Sequence, residues 1–397
     1  MTDLKKNSII IARIGDIMNF RFLSSGESHG KKLTAIIDGV PANLNINIVS
    51  INNELARRQM GYGRGARMKI ETDKVEIVSG VRFGKTIGSP ITIEIQNKDF
   101  ENWKDAMAVE QLSDNNIDTK SISKVRPGHA DYCGAIKYNQ TDIRNILERS
   151  SARETAIKVA VGAIAKQLLQ QFNISVNSKV VAIGNVKADN LYGECNNDLN
   201  CPDNSAYEKM KNEIDKAAEE GVTLGGLVRL EILNLPVGLG SHVHWDKKLD
   251  GLLAQALMSI QAVKSVEIGL GKNAAYLTGD NVHDEIFIEN GKIIRKTNNA
   301  GGIEGGMSNG ETIVATIAMK PIPTMKKTLK SIDLLDKSQQ EAHFERSDTC
   351  AVPACGVVAE AMCAIVIANE LLVKFGSDSI EEMTANYNNY IDMVAKR

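Results

Sequence analysis

Neither sign of charge dominates this chain of 397 residues: 49 acidic side chains stand against 47 lysines and arginines, for a net charge of −2. General attraction to nucleic acid or to a membrane surface needs a strong basic excess, so those roles are excluded and any basic patch must be local. The six cysteines include no C-x-x-C pair, and three crowd the apolar stretch Cys350 to Cys363, which reads as reduced thiols rather than a disulfide frame. Cys195 and Cys201 flank a polar loop, where a metal or a disulfide is left open. There is no G-x-G-x-x-G dinucleotide fingerprint and no internal repeat. The apolar run Ile9 to Ile11 is broken by Arg13 and Asp16, too soon for a signal peptide, and no later segment reads as a membrane span. These absences leave a cytoplasmic globular protein whose 43% hydrophobic content suffices for one large core or two medium ones.

What is present is organised around Arg126 to Thr155. The motif R-P-G-H-A-D-Y, Arg126 to Tyr132, puts His129 on a turn, because Pro127 and Gly128 suit neither a helix interior nor a central strand. The motif R-S-S-A-R-E-T, Arg149 to Thr155, has the S-x-x-E spacing of a capping box at Ser151 and Glu154. Ile157, Val161, Ile164 and Leu168 follow at helical spacing. Hydroxyls at a helix start with Arg149 and Arg153 beside them make a place for a phosphate. Each motif alone also fits a structural turn or a plain cap; the pair, with arginines at both, points to anion handling.

Further loops carry chemistry. Ser28 and His29 lie in G-E-S-H-G between strands at Phe20 to Leu23 and Leu33 to Ile37. The segment R-R-Q-M-G-Y-G-R-G-A-R-M-K, Arg57 to Lys69, combines five cations with three glycines, a composition that closes around a multiply charged anion. An RNA contact is the competing reading, but Tyr62 is the one aromatic there, too little for base stacking. His242 and His244 are two apart without a third ligand of the usual kind, which favours a structural or oligomer contact over a metal. Helices are expected at Ser205 to Glu220, Asp246 to Ala262 and Ala354 to Val373, strands at Ile174 to Ile183, Leu227 to Leu235 and Ile313 to Met319, and a hairpin at Asn290-Gly291. The glycine-dense run Gly301 to Gly310 and the charged cluster Glu345 to Asp348 complete the inventory.

In this order, G-E-S-H-G, the arginine-glycine segment, R-P-G-H-A-D-Y, S-S-A-R-E-T, G-S-H-V-H-W-D, A-L-M-S-I-Q-A-V-K, A-G-G-I-E-G-G and R-S-D resemble the chorismate synthase family from Phe20 to about Val373. The resemblance implies an α+β fold, a β-α-β sandwich in a single large domain spanning residues 18–397, with residues 1–17 as an N-terminal extension. It implies a homotetramer and a lyase that converts 5-enolpyruvylshikimate 3-phosphate to chorismate and phosphate with reduced FMN. NADPH would be the direct reductant or would act through a separate flavin reductase. No metal, nucleic acid or membrane partner is implied. By the same resemblance His129 protonates the leaving phosphate, His29 lies by the flavin, and Asp348 assists proton removal with Ser28 and Ser151. The flavin-binding positions are Arg149, Ser150, Ser151, Gln261, Ala262, Gly305, Lys320, Pro321, Ile322, Pro323, Thr324 and Arg346. Arg58, Arg64, Arg67 and Arg153 are assigned to substrate or NADPH. Thr349-Cys350 departs from a frequent Pro-Cys pair, and Leu270 from a common acid.

Overall fold

The computed structural model describes residues 20–65, 72–111, 119–345, 347–376 and 378–397. Residues 1–17, Arg67 and Arg346 therefore lie outside the described residues, as does part of the arginine-glycine segment.

Alternating apolar residues build two antiparallel sheets. In the first, Arg21–Ser25 (β1), Lys32–Asp38 (β2), Val75–Ile77 (β3) and Ile91–Gln96 (β4) lie in the order β1-β2-β4-β3. Leu33, Ala35 and Ile37 of β2 and Ile91, Ile93 and Ile95 of β4 all turn to one face and are buried. The second sheet contains Ser175–Ile183 (β5), Val186–Lys187 (β6), Gly226–Leu233 (β7), Val263–Ile268 (β8) and Ile313–Met319 (β9), in the order β8-β9-β7-β5-β6.

Between the sheets run three helices, Ile48–Gln59 (α1), Thr155–Gln170 (α4) and Val352–Phe375 (α7). Helix α4 packs on β2 and β4, α7 on β5 and β7, and α4 and α7 on each other, which gives the expected sandwich of sheet, helices and sheet. The two helices touch through small residues. A Cβ at Gly162 would stand 2.3 Å from the Ala361 Cβ, so only glycine allows this crossing. Helix α7 is long and apolar enough to cross a membrane, which the sequence reading missed; here it is the core helix, almost wholly buried. Its one central acid, Glu360, accepts from both Arg57 Nη atoms at 2.9 Å, from Lys166 at 2.6 Å and from the Ser178 hydroxyl at 2.6 Å. A buried carboxylate needs such a full set of donors, because an unpaired charge at this depth would be strongly destabilising.

The shorter helices border the site: Asp131–Tyr138 (α2) and Arg144–Ser150 (α3) precede α4. Asn204–Glu220 (α5) starts on Asp203, whose carboxylate accepts from Ser205 and Ala206, and ends at left-handed Gly221, as cap chemistry requires. The hairpin forms where expected, with Asn290 and Gly291 both at positive φ. Two expectations are corrected. The helix read as Asp246 to Ala262 is only Leu249–Met258 (α6), and Ala262, at φ +70°, is the left-handed residue that hands the chain to β8. The capping box does not close on itself: Ser151 caps a single turn, Ala152–Glu154, while the Glu154 carboxylate goes to Ser24, Lys158 and Gln261.

Candidate active site

The loops at one end of the helix layer enclose a cavity of about 580 Å³. Among the described residues, six cationic side chains line it, Arg58, Arg64, Arg126, Arg153, Lys264 and Lys320, against two carboxylates, Glu345 and Asp348, with His29 and His129 among them. Such an excess lining a recess is a binding potential for a multiply charged anion. Leu147, Met258, Ile260, Ile322, Pro323 and Val358 supply an apolar wall on which a flat ring can rest.

His129 is fixed by its own motif. Its Nδ1 is 2.5 Å from Asp131 Oδ1 and 3.0 Å from Arg126 Nη2. Asp131 also accepts from the Arg126 backbone N–H, Nε and Nη2, at 2.8 to 3.0 Å. Burial alone would push the Asp131 carboxyl up, but the hydrogen bonds from His129 and Arg126 outweigh it and hold the group well below the usual carboxylate range. An ionised Asp131 requires a donor at its closest contact, so Nδ1 carries the proton and Nε2 is the nitrogen left for a ligand. The sequence reading singled out His129; the roles of Asp131 two residues on and of Arg126 were missed, although both stand in the same motif.

His29 is held in a parallel way by residues far off in sequence. Its Nδ1 lies 2.8 and 3.1 Å from the two oxygens of Glu148, and its backbone N–H donates to the same carboxylate at 2.8 Å. Burial opposes ionisation of Glu148, yet the contacts to His29 and Arg144 keep it below its ordinary range. Arg144 bridges Glu148 at 3.2 Å and Glu345 at 2.7 Å, and the Trp103 ring stacks on His29 at 3.8 Å. For Glu345, burial again opposes, and His343 and Arg144 bring its carboxyl down to about 2.

The arginines come from two directions. Arg58, at the end of α1, is 4% exposed and donates to the Thr155 hydroxyl and the Ala152 carbonyl at 2.8 and 3.0 Å. Its Nη1 is buried without a hydrogen-bond partner among the described residues, 3.6 Å from Asp73. Burial, opposed by Asp73 and reinforced by Arg153 and Arg64, brings its pKa down to about 9. Arg153 shares Asp73 at 2.7 Å. Arg64 pairs with Asp348 at 2.8 Å, and the Gly65 N–H donates to the other Asp348 oxygen at 2.6 Å. The glycine loop docks through Gly63, at φ +82°, whose carbonyl accepts from the Thr349 N–H at 2.9 Å. A proline at 349 has no N–H to give, so threonine there adds an anchor for the loop.

The remaining expected residues divide. Ser28 and Ser151 meet through their hydroxyls at 3.2 Å, and with Ser150, Gln261, Ala262, Lys320, Ile322, Pro323 and Thr324 they line the cavity. The Gln261 Oε1 is buried without a hydrogen-bond partner among the described residues, an acceptor suited to a ligand N–H. Lys320, whose Nζ donates to the Gly128 carbonyl at 2.5 Å, has its pKa lowered by burial and by Lys264. Arg149, Pro321 and Gly305 fall outside the lining. The Arg149 guanidinium turns outward to the Ser24 and Gly26 carbonyls, and Gly305 is in a turn between two short strands, Ile303–Glu304 and Met307–Ser308. His242 and His244 are exposed, and no group of three metal-ligating side chains occurs among the described residues.

Two imidazoles, each pinned at Nδ1 by a buried carboxylate and both facing a cationic cavity with an apolar wall, suit proton transfer on a small, multiply anionic molecule. The family model for chorismate synthase matches residues 20–372. Relatives named chorismate synthase include one from Geotalea uraniireducens, 54% identical over 390 residues and covering 94% of this chain and 98% of that protein. Another, from Thermoanaerobacter pseudethanolicus, is 55% identical over 372 residues with the same two coverages. A solved crystal structure of chorismate synthase aligns with a TM-score of 0.77 at 43% identity, over 95% of this chain and 99% of the other. The chain belongs to the chorismate synthase family, and it is a carbon–oxygen lyase of the chorismate-forming step of the shikimate pathway.

Proposed function

We propose that this cavity takes 5-enolpyruvylshikimate 3-phosphate together with reduced FMN and eliminates phosphate to give chorismate. The observation that carries the reading is the pair of carboxylate-pinned imidazoles opening on one cationic cavity. The allylic carbon–oxygen bond breaks, phosphate leaves with the bonding electrons, and a ring hydrogen is lost as the new double bond forms. Reduced FMN, when bound, supplies an electron-rich ring beside the reacting one. The apolar wall, the unpartnered Gln261 acceptor and the Ser150 and Ser151 hydroxyls fit such a group, and Thr324 and Lys320 border the same space.

His129 is the acid for the departing phosphate: with Nδ1 committed to Asp131, Nε2 delivers the proton, and the ionised Asp131 stabilises the ring while it is cationic. Arg58, Arg64, Arg126 and Arg153 neutralise the phosphate and carboxylates of the substrate. A unit-charge pair at about 4 Å is worth ~4 kcal/mol at an effective dielectric near ~20, so several are needed for a trianion. Asp348 and the Ser28–Ser151 hydroxyl pair accept and pass the proton removed on the other side of the reaction, and His29 orients the flavin. Pro321, Gly305, Arg149 and the undescribed Arg67 and Arg346 stay in the proposed ligand set as positions that complete it in the assembled enzyme. We read the working unit as a cytoplasmic homotetramer of one domain per chain, residues 18–397, whose flavin is reduced either by NADPH or by a separate reductase.

Incubation of the purified protein with substrate and chemically reduced FMN without oxygen should give chorismate absorbance and an equal amount of phosphate. Absence of both, with the flavin still reduced, overturns the reading. Substituting NADPH and oxidised FMN distinguishes self-reduction from delivery by a partner, and light scattering reads the assembly.

A further inference from the structure

We propose that Trp103 and Glu148 are positioning residues that form a two-sided clamp on His29. The clamp fixes the plane and the orientation of its ring, so that one nitrogen is always the one presented to the cavity.

Two contacts meet on the His29 ring, and two more hold the backbone that carries it. The Glu148 carboxylate takes both the backbone N–H of His29 and its Nδ1, at 2.8 Å each, and the Glu148 carbonyl accepts from the Ser28 N–H at 3.0 Å. The Trp103 indole lies on the imidazole with centroids 3.8 Å apart and the planes within 18°. His29 and Glu148 are 8% and 3% exposed and Trp103 is partly buried, so the carboxylate side of the clamp is closed to solvent and the indole side in part. Trp103 does not line the cavity, which separates its role from that of a ligand contact.

A ring flip about the Cβ–Cγ bond would turn a carbon toward a buried, charged oxygen and leave that carboxylate short of a donor, a cost of several kcal/mol by the general price of unpaired buried charge. Rocking out of plane is blocked by the indole, which is itself fastened. Its Nε1 donates to Asp99 at 3.2 Å, and the Lys120 ammonium lies 3.7 Å from its centroid. Glu148 is tied through Arg144 to Glu345, in the chain segment that also carries Asp348. His29 is thereby linked to Glu345, which also lines the cavity. Neither Trp103 nor Glu148 belongs to a glycine- or histidine-bearing loop, and neither touches the space where substrate and flavin would lie.

The inference rests on the lyase reading, and the test keeps the two apart by including a measurement that needs no turnover. The chain has two tryptophans, so in a Trp245→Phe background Trp103 is the sole indole. In the ligand-free protein His29→Ala should change its emission intensity by about a third or more, because a stacked imidazole at van der Waals contact perturbs the excited indole. In turnover, Trp103→Leu and Glu148→Gln should lower kcat by ~10- to 100-fold while the substrate KM moves less than about threefold, the pattern of a misplaced reacting group. Trp103→Phe, which keeps a stacked ring, should recover most of the rate. In a His29→Asn background neither Trp103→Leu nor Glu148→Gln should cost anything more. Emission indifferent to His29, a natively melting Trp103→Leu with wild-type kcat, or losses that persist undiminished without His29 would each overturn the clamp. Should the leucine variant fail to fold, the emission measurement and the phenylalanine variant decide alone. An unsubstituted enzyme that makes no chorismate would instead overturn the lyase reading.

Discussion

Asp131→Asn is the substitution whose consequences the geometry constrains most tightly. The carboxylate is fully buried and receives four donors: its Oδ2 takes the Arg126 N–H and Nε, and its Oδ1 takes Arg126 Nη2 and His129 Nδ1. An asparagine keeps the shape but turns one oxygen into a donor, so whichever way the amide settles, two of the four donors face another donor. Two charge-assisted hydrogen bonds at ~1.5–3 kcal/mol each are lost, about 3–6 kcal/mol in all, in line with the ~3–5 kcal/mol of breaking a buried pair. Folding stability falls by that order. Catalysis falls for a second reason. If the amide nitrogen lies toward His129, Nδ1 must become an acceptor, and in either orientation no negative charge remains to support the cationic ring. A comparable loss of orientation and charge behind a catalytic histidine costs ~10²–10⁴ in rate. The assay is single-turnover chorismate formation with prereduced FMN, read beside calorimetric melting, with the variant held well below its melting temperature. A variant that melts early yet turns over within about threefold of the parent would show that Asp131 braces Arg126 and does nothing for His129, and the proposed acid would have to be reassigned.

The other predictions rest on single contacts. Gly162→Ala forces a Cβ to 2.3 Å from the Ala361 Cβ and 2.8 Å from its carbonyl, so urea denaturation should show a loss of about 3 kcal/mol, partly restored by Ala361→Gly. Arg58→Ala removes a buried cation whose Nη1 has no hydrogen-bond partner among the described residues. The substrate kcat/KM should fall ~10- to 100-fold, and lysine should not restore it, since it lacks the fork that reaches Thr155 and Ala152 as well as the ligand. Glu345 has its carboxyl pKa lowered from 4.5 to about 2, so it stabilises the fold above pH 4.5 and the contribution is lost as the pH falls toward 2. The stability gap between the parent and Glu345→Gln should therefore be widest near neutrality and close on acidification; a gap independent of pH would mean that Glu345 is not ionised in that pair.

Much of the scaffold could be read along the chain because its signals are local. Strand β9 appears at the expected Ile313 to Met319, α5 within a residue of the expected Ser205 to Glu220, and the hairpin at Asn290-Gly291. The stacking of the layers was available from family resemblance and not from periodicity, since the close crossing at Gly162 joins residues that no sequence window contains together. The failed helix end at Ala262 is instructive: apolar spacing continues to Ile260, but the chain must reverse into β8, and a left-handed alanine makes the turn.

The site divides along the same line. Its loop residues were legible because glycine, proline, histidine and arginine packed into a few positions serve no regular structure, so Ser28, His29, His129 and Asp348 stood out and line one cavity. Their supports on helices were not. Arg144 and Glu148, four apart on α3, have the spacing of an ordinary solvent-facing ion pair, worth a few tenths of a kcal/mol on an exposed helix. Only burial changes what the same spacing means: at 6% and 3% exposure the pair cannot be left to water, and its carboxylate becomes the anchor of an imidazole 119 residues earlier. Charge on a helix face is therefore ambiguous until depth is known, and at Glu148 the Ser28–His29 loop, remote in sequence, is what closes over the carboxylate.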